Sequence, residues 1–250
     1  MAHPSSSTSC VTRPRRAAIL AGGLGTRLEA VTNGRPKPLA EVAGHPFIEY
    51  VLRQVARAGV REVVLCTGHR ADLVAEALGD GRRLGLSITY SVEEEPLGTG
   101  GALKRASALL GDASFLVLNG DSFFDISLDE LVAVHDANGG LPTIALARVT
   151  STVRYGTVLI DARGRVTEFG EKQGSGGPGL INAGIYLLGP GILDLIPDRP
   201  RVSLEHDIFP QLIGSGLLGR PFDGFFVDIG VPEDYAQLCE EPGRLVGATR

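Results

Sequence analysis

Long apolar runs, a basic excess and a cysteine framework are all missing from this 250-residue sequence. No apolar stretch approaches the roughly 20 residues that span a bilayer, and residues 1–16 lack the apolar centre of a secretory signal. The net charge is −5, with Lys and Arg scattered along the chain, which argues against a broad surface for nucleic acid or anionic membrane. Any phosphate it binds is therefore expected to be small and locally held. The three cysteines, Cys10, Cys66 and Cys239, are far apart, fit no metal-ligand spacing and cannot form a disulfide framework. A reducing cytoplasm is the expected setting, with Cys66 a small buried hydrophobe at a strand end.

What is present suits a globular chain: 43% hydrophobic and 21% charged residues. Residues 1–15 are expected to be a disordered leader, 16–240 a single domain and 241–250 a C-terminal tail. A short apolar run at 17–21 opens at once into Gly22, Gly23 and Gly25, the pattern of a buried strand entering a tight loop. Strands are expected at 62–66, 87–92 and 114–118, and helices at 46–58, 71–78 and 101–110. That alternation predicts an α/β fold with a largely parallel sheet covered on both faces. From Thr143 onward, apolar runs at 144–149, 156–160, 166–170 and 181–188 have few helical patterns between them and predict a mixed or antiparallel β-rich extension. Late helices are expected at 203–213, capped by Ser203, and at 233–239 after Pro232. A strand through Phe225, Phe226 and Val227 separates them.

The most informative segment is Leu20-Ala21-Gly22-Gly23-Leu24-Gly25-Thr26-Arg27-Leu28. Its glycines let backbone N–H groups approach phosphate oxygens, and Arg27 can add a bidentate, permanently charged clamp. It is neither a Walker loop, which ends in Gly-Lys-Ser/Thr, nor a dinucleotide fingerprint, whose third glycine would fall at Leu28. The plain alternative is a tight βα turn. Lys37 stands between Pro36 and Pro38, whose fixed φ angles limit where its ammonium can point; otherwise it is an exposed loop lysine. Asn119-Gly120-Asp121 ends a strand at the edge where open α/β sheets bind ligands. A second acidic residue, Asp228, lies in the apolar strand end Phe226-Val227-Asp228-Ile229-Gly230. Burying it unpaired is costly. Two carboxylates converging on a hard cation such as Mg²⁺ would resolve both placements, whereas a helix-capping role is the alternative for Asp121.

The glycine loop followed by Pro36-Lys37-Pro38-Leu39 resembles the signature of the sugar-phosphate nucleotidyltransferases, over about residues 16–238. The resemblance implies a Rossmann-like mixed, mainly parallel sheet flanked by helices, of the nucleotide-diphospho-sugar transferase type, with a small β-rich sugar-binding extension. It also implies an enzyme that joins a nucleoside triphosphate to a sugar 1-phosphate, releasing pyrophosphate. Glu93-Glu94-Glu95-Pro96-Leu97-Gly98-Thr99-Gly100-Gly101, Arg154-Tyr155-Gly156-Thr157, Leu180-Ile181-Asn182-Ala183-Gly184 and the segment from Asp228 to Tyr235 look nearest to D-glycero-α-D-manno-heptose 1-phosphate guanylyltransferases. Mannose-1-phosphate guanylyltransferases are the near neighbours. Carried over by residue, the resemblance makes Arg27, Lys37 and Asp121 catalytic and gives Mg²⁺ to Asp121 and Asp228. It places Leu20, Gly22, Gly23, Gly25, Thr26, Arg27, Glu93, Gly98 and Thr99 around the nucleotide. Gly120, Gly156, Glu171, Lys172 and Asn182 fall around the sugar phosphate. His45 departs from the lysine of many relatives, and from the short stretch after Tyr235 a single activity is expected, without the hexapeptide-repeat or cupin domains some relatives carry. Association into homo-oligomers is common among them.

Related thymidylyl- and uridylyltransferases read a pyrimidine with an amide where this chain has Glu93 or Glu94. A carboxylate accepts two hydrogen bonds, which suits the N1–H and N2–H₂ donors of guanine, so GTP is the expected nucleotide; a solvated acidic loop is the alternative. His69 and His206 belong to no catalytic motif and are assigned surface or cap roles. The sugar could instead be mannose or another sugar or cyclitol phosphate. From other classes come a catalytically silent sugar-nucleotide sensor on the same fold and a glycosyltransferase, which would have no use for a triphosphate loop.

Overall fold

The protein is described by a computed structural model covering residues 14–23, 25, 34–169 and 176–248. Its strands are β1 (Arg16–Ala21), β2 (Glu41–Val42), β3 (His45–Pro46), β4 (Glu62–Thr67), β5 (Ser87–Val92), β6 (Phe115–Asn119), β7 (Ser122–Phe124), β8 (Thr143–Val149), β9 (Val158–Ile160), β10 (Val166–Phe169), β11 (Gly179–Leu188), β12 (Leu218–Phe222) and β13 (Phe226–Asp228). Its helices are α1 (Phe47–Arg57), α2 (Ala71–Leu78), α3 (Gly98–Arg105), α4 (Ser107–Leu110), α5 (Leu128–Ala137), α6 (Phe209–Leu212), α7 (Pro232–Glu240) and α8 (Gly243–Ala248). Seven strands form one sheet in the order β12-β8-β11-β6-β1-β4-β5. β1, β4, β5 and β6 run parallel, and β11 is antiparallel to both β6 and β8.

β1 shows why the sheet needs cover on both sides. Ala17 and Ile19 belong to one apolar core and Ala18 to the other, all fully buried, as a period of two dictates for a central strand. Against the first face lie α1, α2 and α5, with Phe47, Val74 and Leu131 in that core. α3, α4 and α6 supply Leu103, Leu110 and Phe209 to the second. No helix among the described residues is long and apolar enough to cross a membrane.

Several boundaries differ from the sequence pattern. The helix expected at 101–110 starts at Gly98 and is divided at Ala106 into α3 and α4. The one expected at 203–213 is a π-helical turn, Leu204–Ile208, leading into the four residues of α6; Ser203 does cap it, accepting from the His206 N–H. α5 and β12 are additional elements. β12 is an edge strand, where Pro221 can sit without breaking an interior ladder. The β-rich second half mostly continues the main sheet through β8, β11 and β12, with β9 and β10 as a separate two-stranded ladder. Within the segment expected as a C-terminal tail, α8 buries Leu245 completely. Residues 1–13 of the expected leader lie outside the described residues.

Candidate active site

Strand order creates the crevice. From β1 the chain moves outward to β4 and β5, then returns to the other side of β1 as β6, so the order reverses between β1 and β6. Gly22 and Gly23 follow β1, Gly120 follows β6 and Glu93 follows β5, all at the same carboxyl edge. The Gly120 N–H donates to the Leu20 carbonyl at 2.8 Å, joining the two loops across the switch point.

Two three-residue strands bring the distant aspartates together. β7 pairs antiparallel with β13, placing Asp228 opposite Ser122, and the Ile229 N–H donates to the Asp121 carbonyl at 3.0 Å. Between the carboxylates lies Lys37, held in a short 3₁₀ turn whose Pro38 and Leu39 are buried. Its Nζ is 2.6 Å from Asp121 Oδ2 and 3.7 Å from Asp228 Oδ1, with only 11% of the side chain exposed. Asp228 Oδ1 also accepts from the Gly230 N–H at 2.6 Å. A Cβ at Gly230 would stand 2.7 Å from the Lys37 ammonium and 2.8 Å from Asp228 Oδ1, so a side chain there would shift both charged ends. Among the described residues no group of three or more His, Cys, Asp or Glu side chains gathers as a metal cage. Two carboxylates already facing one cation offer hard oxygen donors of the kind a divalent cation such as Mg²⁺ would take, so Asp121 and Asp228 fit that chemistry.

Of the adjacent glutamates, Glu93 is buried at 9% exposure and Glu94 is exposed. Glu93 Oε2 accepts from the Leu97 N–H at 3.1 Å. Its other oxygen lies against Gly22 and Gly68, and a Cβ on Gly22 would overlap the carboxylate. Burial pushes the Glu93 pKa up, partly opposed by the Leu97 hydrogen bond and the Arg105 charge. The site thus holds an under-solvated acceptor beside the Gly22 backbone, a poor environment for an isolated carboxylate and one that suits a ligand with paired N–H donors.

On the other side of the crevice, Asn182 lies in β11 where its register shifts between Asn182 and Tyr186. A bridge between Thr157 and Ile181 brings Gly156 close to it. A cavity of about 240 Å³ opens beside Asp228, lined by Arg154, Tyr155, Phe226, Asp234 and Arg244 among others. Gly25 packs against Lys37. Gly98 and Thr99 begin α3, where the Thr99 hydroxyl donates to Glu205 at 2.7 Å. Thr26, Arg27, Glu171 and Lys172 lie outside the described residues. His206 serves the cap of the π-turn, and Cys66 is buried, its thiol pushed up to about 12 chiefly by that burial. Sequence patterns do not single out Glu205 or Tyr186. Tyr186 is fully buried; burial first, then the Glu205 charge, hold its phenol well above its usual pKa, so it remains a donor.

The switch-point crevice, glycine loop and cation-bridged carboxylates define an α/β enzyme of nucleotide phosphates. The chain belongs to the nucleotidyl transferase family, whose model matches residues 16–241. It is 40% identical to the D-glycero-alpha-D-manno-heptose 1-phosphate guanylyltransferase of Campylobacter jejuni over 88% of this chain and 96% of that one. It is 36% identical to a mannose-1-phosphate guanylyltransferase of Mycobacterium tuberculosis over 88% of this chain, but only 62% of that protein's length. The chain likewise spans less than two thirds of two further mannose-1-phosphate enzymes, from Drosophila melanogaster and Arabidopsis thaliana. HddC from Yersinia pseudotuberculosis, solved in complex with GMP-PN, superposes with a TM-score of 0.79 at 31% identity, covering 91% of this chain and 99% of that one.

Proposed function

We propose that the chain, as one catalytic domain over about residues 16–240, is a sugar-1-phosphate guanylyltransferase that uses GTP and a heptose 1-phosphate. Mannose 1-phosphate is the second candidate, since relatives of both kinds match at similar identity. The observation that carries the reading is the Lys37 ammonium between Asp121 and Asp228 at the switch point. Glu93, buried against Gly22, supports guanine. A cytoplasmic setting agrees with free Cys66 and Cys239.

The sugar phosphate is its own nucleophile, mostly ionised near neutral pH because its second pKa is about 6. No general base is needed. The barrier lies in bringing two polyanions together and stabilising charge on the α-phosphate and departing pyrophosphate, so positioning and electrostatics supply the rate. Asp121 and Asp228 would hold Mg²⁺, which when bound neutralises phosphate charge and aligns in-line attack. Lys37, placed between the two carboxylates, would exchange them for phosphate oxygens, a change of acceptor without a change of charge. Arg27 and Lys172 add cationic clamps on the triphosphate and the sugar phosphate, and Gly156, Glu171 and Asn182 hold the sugar. Mass spectrometry of reactions containing GTP with heptose, mannose or glucose 1-phosphate tests the reading. A GDP-heptose product supports it, GDP-mannose alone selects the second candidate, and no GDP-sugar from any of the three contradicts it.

A further inference from the structure

One carboxylate joins the two sides of the crevice, and neither the glycine loop nor the aspartate pair accounts for it. Glu205 Oε1 accepts from the Tyr186 hydroxyl at 2.9 Å. Its Oε2 accepts from Thr99 Oγ1 and from Ser203 Oγ, each at 2.7 Å. A carboxylate offers only acceptors, so all three hydroxyl protons are directed towards it. That fixes what lies beyond each hydroxyl. Thr99 Oγ1 takes the Leu204 N–H at 2.8 Å, which ties the start of α3 to the π-turn. Tyr186, having donated its proton, accepts from Asn182 Nδ2 at 3.0 Å, while Asn182 Oδ1 accepts from the Gly184 N–H at 2.9 Å. The Asn182 amide therefore has one orientation, with its remaining N–H and carbonyl lone pair available to a ligand.

The backbone around this chain is irregular at both ends. Glu205 sits in the π-helical turn Leu204–Ile208, and Asn182 sits at the register shift of β11. A π-turn adds a residue to the turn and re-aims its side chains, a device that recurs at functional sites. Here it points a charged side chain at two hydroxyls on separate elements, one of them fully buried. Hydrogen bonds to a charged acceptor are the stronger kind, which makes Glu205 the fixed point of the chain.

We propose that Glu205 is a positioning residue for the transferase reaction, setting the Thr99 hydroxyl on the nucleotide side and, through Tyr186, the Asn182 amide on the sugar side. The inference rests on the guanylyltransferase reading above. It divides the molecule into two arms that meet at one carboxylate, and each arm has its own kinetic signature. Tyr186→Phe removes the hydroxyl between Glu205 and Asn182 and leaves the Thr99 arm intact. Thr99→Val does the reverse.

Steady-state kinetics of pyrophosphate release, with each substrate varied in turn, test this on the full chain. Tyr186→Phe should raise KM for the sugar phosphate by about five- to tenfold, the loss of one hydrogen bond, with KM for GTP little changed. Thr99→Val should raise KM for GTP by a similar factor and spare the sugar phosphate. Glu205→Gln, which keeps the shape but turns one acceptor into a donor, should raise both. A general loosening of the fold would not divide between substrates in this way. Equal effects of Tyr186→Phe and Thr99→Val on both KM values, or unchanged KM values in Glu205→Gln, would overturn the proposal. Should Glu205→Gln fail to fold, the two single-arm variants decide the matter by themselves. Absence of turnover by the unsubstituted protein would instead strike the functional reading, and this inference with it.

Discussion

Lys37 Nζ and Asp121 Oδ2 are 2.6 Å apart although 84 residues separate them in the chain. The contact exists because a proline-bounded turn projects Lys37 under the glycine loop while β6 ends at the same edge of the sheet. With Asp228 at 3.7 Å, the ammonium offsets the mutual repulsion of two carboxylates in a partly dry site. Lys37→Ala should therefore lower kcat by at least about a hundredfold, in the range found on removing one charge-stabilising donor. Circular dichroism should show the secondary structure retained. Asp121→Asn should behave alike, and near-normal turnover in either variant would contradict the assignment.

Glu93 yields a pH prediction whose sign follows from its environment. Burial raises its pKa above the ordinary carboxylate value, against the opposing Leu97 hydrogen bond and Arg105 charge. A raised folded-state pKa means the neutral form favours the ligand-free fold, a contribution present below the unfolded value and lost as pH rises through the folded one. The proposed guanine contact uses the ionised form, which accepts two hydrogen bonds. Guanosine, which carries no phosphate to titrate, should bind more tightly as pH rises above the ordinary carboxylate range and should release a proton on binding there. Calorimetry in two buffers of unlike ionisation enthalpy measures that proton. Glu93→Gln should abolish the release and raise the thermal midpoint of the ligand-free protein at neutral pH; proton uptake on guanosine binding would refute the assignment.

The backbone of Gly22 lies against the same carboxylate. Gly22→Ala would drive a methyl group into the Glu93 carboxylate and displace it from the loop. The expected result is a rise of tenfold or more in KM for GTP with a smaller change for the sugar phosphate, read from initial rates. A variant with unchanged GTP kinetics would show that Glu93 does not need this seat.

Away from the crevice, Leu245 of α8 is fully buried in the core that α1 and α5 share. Leu245→Ala should cost about 2–5 kcal/mol of stability, as other large-to-small core changes do. Thermal denaturation should show the loss while kcat per folded molecule stays the same. A midpoint equal to that of the unsubstituted protein would mean the C-terminal helix does not contribute to the core.

How much of this is legible in the sequence depends on whether the cause is local. Residues 87–92 and 71–78 are read to the residue because apolar period and flanking turn residues lie in the same short window. The glycine loop and Lys37 are visible for the same reason. α5 has a local signature too, Ser127 as cap with Glu130 three residues on, but a weak apolar stripe hides it. β12 is masked by Arg220 and Pro221, which an edge strand tolerates and a pattern search penalises. The apolar runs after Thr143 predict mixed or antiparallel strands, but that β11 alone is reversed, pairing with β6 on one side and β8 on the other within the main sheet, follows from tertiary pairing, which periodicity does not encode. Glu205 illustrates the limit for the site. Beyond the adjacent Ser203, its partners are 106 and 19 residues away, so nothing in the sequence around it distinguishes it from a solvated, turn-capping glutamate.

Whether a Mg²⁺-binding aspartate pair and a guanine-reading glutamate serve one transfer reaction can be read from pyrophosphate release from GTP, ATP, UTP, CTP and dTTP, each with heptose 1-phosphate, with Mg²⁺ and again with chelator. Release is expected with GTP and Mg²⁺, with at least tenfold weaker release from the other four nucleotides and none with chelator. Release with UTP or dTTP in preference to GTP, or undiminished release with chelator, would contradict that expectation.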